Sequence, residues 1–177
     1  MNNNDKRLST SWPDRLFDVI ERAGVKQVAY VPDAGHAQLI ERCRAARGLR
    51  TVPLTTEEEG VALLVGAWLG GQRGVLLMQS SGVGNCINML AMVAECRFPL
   101  LMLVTMRGDW GESNPWQLPM GQSTATALGT AGVVVSYVDD PARLADDTAA
   151  GARIAFDSAR AVAVLISQRI IGSKAFK

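Results

Sequence analysis

The chain has a single histidine, His36, in 177 residues, and that count alone removes any site built from several imidazoles. Its three cysteines, Cys43, Cys86 and Cys96, are odd in number and show no metal-ligand spacing. They make no disulfide framework and are expected to be buried, reduced thiols. A surplus of charge of one sign is missing too. The 18 Lys and Arg stand against 17 Asp and Glu, which leaves no basic field to hold a nucleic acid. No apolar run is long enough to cross a bilayer, and the polar residues 1–7 lack the apolar core of a secretion signal, so a soluble cytoplasmic chain is expected, with no membrane partner. Repeats, low-complexity blocks and internal linkers are absent as well. A chain of this length buries a sizeable core as one domain without a disulfide or metal staple.

What is present is an alternation of strand and helix. A helix over 12–23 carries Leu16, Phe17, Val19 and Ile20 on one side and ends at Gly24. Strands are predicted over 27–31, 50–54, 74–79, 100–104, 133–138 and 162–166. Helices are predicted over 37–46, from Thr56 to about Leu69, and over 83–95, 123–129 and 141–158. Nearly continuous apolar strands between helices imply an α/β, doubly wound fold: a six-stranded, mainly parallel sheet with helices on both faces. Residues 1–11 are expected to be loosely ordered, 12–170 to form the single domain, and 171–177 to be a frayed tail. In such sheets ligands gather at the carboxyl ends of the strands. Four of those ends carry chemistry, at 32–36, 55–59, 79–85 and 106–116.

At the second of these, Glu57, Glu58 and Glu59 stand together where a strand gives way to a helix. Thr56 with Glu59 three residues on has the form of a capping box, and acids are favoured on a first turn by the helix dipole. The dipole alone would account for them. Yet residues 61–69 are apolar nearly all round, which predicts a buried helix and at least one carboxylate directed into a protected place.

The third end, Gln79 to Asn85, is a small, polar, glycine-bearing turn from strand to helix. It suits an anion or a flat ring approaching backbone amides, and equally a tight turn with no ligand. As a dinucleotide fingerprint it fails, because Ile87 stands where the third glycine belongs. No Gly-Lys-Ser/Thr follows, so it is not a phosphate loop either. Ser80 and Ser81 lack a nucleophile-elbow pattern, and Cys86 lies within an apolar helix. The fourth end is long for a connection in a compact domain, and its Trp110 and Trp116 predict an exposed binding or subunit surface. Arg107 there either holds a substrate anion or is a structural surface arginine.

Several of these runs together resemble one family. They are Val31-Pro32-Asp33; Glu57-Glu58-Glu59-Gly60 with Gly66 nine residues after the first Glu; Met78-Gln79-Ser80-Ser81-Gly82-Val83-Gly84-Asn85; and Arg107-Gly108. The pattern, over about 12–166, is similar to the pyrimidine-binding domain of thiamine-diphosphate-dependent decarboxylases, in particular the sulfopyruvate and phosphonopyruvate decarboxylases. The resemblance implies that Glu57, or Glu58 if the register slips by one, is the catalytic carboxyl that shares a proton with the cofactor's aminopyrimidine. It implies that Gln79, Gly82, Val83, Gly84 and Asn85 form the cofactor-binding turn. Asp33, His36, Arg107 and Gln122 are implied on the substrate side, with Arg107 the cation for a second negative group. The family's magnesium motif, Gly-Asp-Gly with a later Asn, is matched only by Gly108-Asp109-Trp110. This chain is therefore expected to hold no metal and to need a second, beta subunit supplying magnesium and the diphosphate site, in a heterotetramer or larger assembly. The implied reaction is decarboxylation of an anionic 2-oxo acid such as 3-sulfopyruvate. The alternatives are a carboligase subunit and a non-catalytic, ligand-binding scaffold.

Overall fold

A computed structural model describes residues 11–173 of the chain. Six strands form one sheet: β1 (Val25–Tyr30), β2 (Arg50–Pro53), β3 (Arg73–Gln79), β4 (Leu100–Thr105), β5 (Val134–Val138) and β6 (Ala161–Ile166). Their order is β2-β1-β3-β4-β6-β5, and every neighbouring pair is parallel. The expectation of a mainly parallel sheet is met in its strict form.

Both faces are covered. Helices α1 (Trp12–Arg22), α2 (Ala37–Ala45) and α6 (Leu144–Ser158) bury one of them, through Leu16, Ile20, Leu39 and Phe156 among others. Helices α3 (Glu57–Leu69), α4 (Ser80–Cys96) and α5 (Leu118–Thr130) bury the other, through Val61, Leu64, Leu90 and Leu128. Strand β4 shows why such strands read as unbroken apolar runs. Leu101 and Leu103 enter the first core while Met102 and Val104 enter the second, so alternate side chains must all be apolar.

The differences from expectation are local. Helix α4 begins at Ser80, directly after β3, so Gly82 to Asn85 lie in its first turns and not in a loop ahead of it. Helix α5 begins at Leu118, five residues before the predicted start, because a 3-10 turn at Pro115–Gln117 leads straight into it. Helix α6 begins at Leu144, after a turn over 141–143. A short helix α7 (Gln168–Ile171) was not foreseen, and it takes up the first residue of the expected tail. Four residues are too few to show a period; what marks the helix is Ser167, whose hydroxyl accepts from the Arg169 amide. The loose ends expected at 1–10 and 174–177 lie outside the described residues.

Cys43 and Cys86 are buried, and burial pushes both thiols up to about 12, which makes them unreactive. Cys96 departs from expectation: as the last residue of α4 it faces outward and is exposed. No helix of the described residues is long and apolar enough to cross a membrane.

Candidate functional site

The strand order reverses between β1 and β3, since the chain goes from β1 outward to β2 and returns to β3 on the other side. The connections leaving β1 and β3 then run to opposite faces, into α2 and α4, and open a crevice at their carboxyl ends. Asp33 and Gln79 meet across that crevice: Gln79 Nε2 donates to Asp33 Oδ1 at 2.9 Å. Thr105, at the end of β4, donates from Oγ1 to Asp33 Oδ2 at 2.6 Å, and the His36 amide donates to the same oxygen at 3.3 Å. Ser81 Oγ completes the chain by donating to Gln79 Oε1 at 2.9 Å. Burial works to raise the proton affinity of Asp33, but Thr105, the nearby His36 and Gln79 outweigh it and hold the carboxyl below its ordinary value. An ionised carboxylate is thus fixed at the middle of the crevice.

Glu57 is the second fixed carboxyl. Of the three adjacent acids it alone is buried, with 8% exposure, while Glu58 and Glu59 face solvent. Asn85 Nδ2 donates to Glu57 Oε2 at 2.8 Å, which ties the start of α3 to the second turn of α4. The other carboxylate oxygen, Oε1, lies over Gly82, where any Cβ would overlap it. Glycine at 82 is what lets this carboxyl approach the helix backbone. The predicted capping box forms in a shifted version. Glu59 Oε2 accepts from the Thr55 amide at 2.9 Å, and Thr56, the N-cap, makes no side-chain cap.

The remaining residues of the turn are divided. Gly84 and Asn85 are exposed on α4, whereas Val83 is fully buried in the core. Ser80 is also fully buried, and its hydroxyl both accepts from the Arg107 amide (3.0 Å) and donates to the Arg107 carbonyl (3.1 Å). That hydroxyl stitches α4 to the loop after β4.

The 106–117 loop is tied down at several points. Arg107 is buried and paired through Nε with Glu112, so it is not a free surface arginine. Gln168, fully buried in α7, accepts from the Gly108 amide (3.0 Å) and donates to Glu112 (2.9 Å). Asp109 accepts from Tyr137 Oη at 2.8 Å and faces the amide of Gln168. Gln122 Nε2 donates to the Gly108 carbonyl at 2.8 Å, which spends that nitrogen on holding the loop to α5. Trp110 and Trp116 are exposed, the latter by 85%.

A family model described as "Thiamine pyrophosphate enzyme, N-terminal TPP binding domain" matches residues 12–127, a span that holds Asp33, Glu57, Gly82, Asn85, Arg107 and Gln122. The chain belongs to this family. Among curated members, a sulfopyruvate decarboxylase subunit alpha from Methanothermobacter thermautotrophicus is 32% identical over 154 residues, 86% of this chain and 93% of that one. Its counterpart in Methanococcus maripaludis is 36% identical over 118 residues, 66% of this chain and 71% of that one. A phosphonopyruvate decarboxylase from Streptomyces hygroscopicus is 35% identical over 119 residues, 66% of this TPP-binding domain but only 30% of the longer enzyme. Among solved structures, a 2-oxoglutarate:ferredoxin oxidoreductase from Magnetococcus marinus superposes with a TM-score of 0.76 at 17% identity. It covers 92% of this chain and 29% of its own, and shows the fold alone.

Within the TPP-binding domain, His36 stands apart from the crevice. Its ring is fully buried, with Nε2 3.0 Å from the Leu103 carbonyl and Nδ1 without a partner. Its backbone amide, and not its ring, reaches Asp33. Burial lowers the ring's proton affinity against the pull of Asp33, so the folded ring stays neutral. The sign follows: the unfolded chain takes up the proton first, and the stability this gives is fully present above the ordinary value of 6.5 and lost as pH falls below it. Denaturant titrations at pH 7.5 and 5.5 should show a stability loss in the parent that exceeds that of His36→Gln by up to about 1.4 kcal/mol per pH unit, the worth of one proton. Equal losses in the two proteins would refute a neutral buried ring.

Proposed function

We propose that this chain is the alpha-type subunit of a thiamine-diphosphate-dependent decarboxylase acting on an anionic 2-oxo acid, with 3-sulfopyruvate, giving sulfoacetaldehyde and CO2, the foremost substrate. The observation that carries the reading is the Glu57 carboxyl seated over the open Cα of Gly82 at the switch point of the sheet. A buried acid beside a glycine-lined helix start is a cradle for a flat ring that can share a proton, and the aminopyrimidine of thiamine diphosphate is such a ring. The named activities of the similar decarboxylases support the same choice.

When bound, the cofactor supplies a nucleophilic carbon and the electron sink that decarboxylation needs. This chain's part is to hold and move a proton. Asn85 occupies Glu57 Oε2, which assigns proton sharing to Oε1, on the Gly82 side. Burial of Glu57 excludes water that would compete for that proton. Asp33, kept ionised by its three donors, fixes Gln79 and Thr105 at the carboxyl ends of β3 and β4, beside the substrate's place.

The partial magnesium motif, Gly108-Asp109-Trp110, does not fit the metal. Asp109, its one acid, is engaged with Tyr137 and the start of α7. The metal and diphosphate site is accordingly assigned to a second subunit, and the cofactor to the interface between the two. The test is to copurify the chain with such a subunit and titrate thiamine diphosphate with magnesium into each chain and into the complex. Tight binding by the complex alone, followed by CO2 release from a 2-oxo acid, is the expected outcome. A complex that binds no cofactor would sink the reading.

A further inference from the structure

Arg107 carries a donor that the fold does not use. The residue is only 8% exposed; its Nε goes to Glu112, and its Nη2 is buried with no acceptor among the described residues. A buried, unpaired N–H on a charged group is costly, and folds normally match it. Arg107 also lines a partly open cavity of about 70 Å³, together with Asp33, Ala34 and Gly35 after β1 and Ile171 and Gly172 at the end of α7.

The guanidinium is held firmly for such a place. Glu112 accepts from Arg107 on one side and from Gln168 Nε2 (2.9 Å) and the Asn114 amide (3.0 Å) on others, so the carboxylate that orients Arg107 is itself fixed. Arg107 beside it holds the Glu112 carboxyl down at about 2, and the pair stays ionised across the working pH range. Glu112 takes only one edge of a fork that can bind oxyanions through two. On the opposite wall, the Asp33 oxygens are turned to Thr105, Gln79 and the His36 amide, which leaves Arg107 as the donor open to a ligand. The volume holds about two waters, enough for one tetrahedral oxyanion and too little for an extended side chain.

Resting on the decarboxylase reading above, the geometry points to this cavity as the seat of the substrate's second anionic group, a sulfonate or phosphonate bound by Arg107. The cavity adjoins Asp33, and Asp33 is joined through Gln79 to the first turn of α4, where Gly82 meets Glu57. A short 2-oxo acid with a tetrahedral anion at its far end would thus span from the reacting end of the crevice to Arg107.

The probes are sulfoacetate and phosphonoacetate, with acetate as the control lacking the second anion, titrated calorimetrically into the full chain. We expect the two dianions to bind and acetate not to. Arg107→Gln should weaken them roughly ten- to hundred-fold, the worth of a charged hydrogen bond, with partial recovery in Arg107→Lys. Because Arg107→Gln leaves Glu112 buried without its partner, Ala34→Leu serves as a second variant. It fills the cavity from its exposed rim and leaves the ion pair intact, and it should weaken the dianions to a similar degree. A parent that binds neither probe, or variants that bind both as tightly as the parent, would overturn the assignment. Probe binding lost in both variants, beside a reconstituted complex that releases no CO2 from any 2-oxo acid, would uphold the anion seat and strike only the decarboxylase reading.

Discussion

Alanine at position 82 should cost little stability and nearly all turnover. A Cβ there would fall within the van der Waals envelope of Glu57 Cγ, Cδ and Oε1, with no other heavy atom among its three nearest contacts. The obstructed group is the far end of a flexible side chain, so the fold has a cheap escape: Glu57 rotates away. Alanine also favours the helix by up to about 1 kcal/mol over glycine, which offsets part of the repacking. The carboxyl nevertheless ends displaced from Gly82, and misplacing a catalytic group by about 1 Å can cost on the order of a hundred-fold in rate. Gly82→Ala should therefore keep its thermal midpoint within a few degrees while the reconstituted complex loses turnover on that scale or more. Gly129→Ala is the control, since a Cβ on that exposed position of α5 meets nothing within 4 Å and lies outside the site. Full activity in Gly82→Ala would show that the close approach of Glu57 to this helix has no part in the reaction.

Much of this arrangement could be read from the residues alone, and the boundary is a physical one. Strand β4 declares itself because burial on both faces requires unbroken apolar sequence. Helix α3 is as uniformly apolar in sequence, but only one side of it is buried, and Ala62, Gly66 and Leu69 face solvent. That same uniformity hides the orientation of α3. A helix with no polar face gives no indication of which of Glu57 and Glu58 turns inward, and the choice is made by α4, through Asn85 and the open Cα of Gly82. The Asp33 cluster was half visible. Asp33 and Gln79 lay at marked strand ends, but Thr105 joins them only because β4 pairs with β3, which no local pattern encodes. Glu112 and Gln168 escaped notice altogether. One sits in an irregular loop and the other in a four-residue helix, and their meeting across 56 residues depends on tertiary structure alone. A buried glutamine near the chain's end was the sole signal available, and an amide is not read as buried from sequence. His36 was misread for a related reason: the run Pro32 to His36 placed it beside Asp33 in sequence, while the start of α2 turns its ring into the core toward Leu103.

The sharpest test of Glu57 is its amide. Glutamine has nearly the same shape, and its carbonyl oxygen can still accept from Asn85, so the tie between α3 and α4 survives the change. What it cannot do is carry an exchangeable acid proton at the position facing Gly82. General acid–base groups contribute roughly 10²- to 10⁴-fold to rate, and Glu57→Gln should lose turnover within that range. Assembly with the second subunit should persist, and cofactor affinity should fall far less than turnover, because the cradle keeps its form. Glu58→Gln, altering an exposed neighbour, should leave the rate within a few-fold of the parent. Comparing the two variants in the reconstituted complex separates a catalytic carboxyl from an acid that only favours a helix start. If both lose rate equally, the effect belongs to the helix dipole and its local field, which depend on either charge alike. If neither does, the carboxyl over Gly82 holds no proton the reaction needs, and the chain serves its complex as a scaffold.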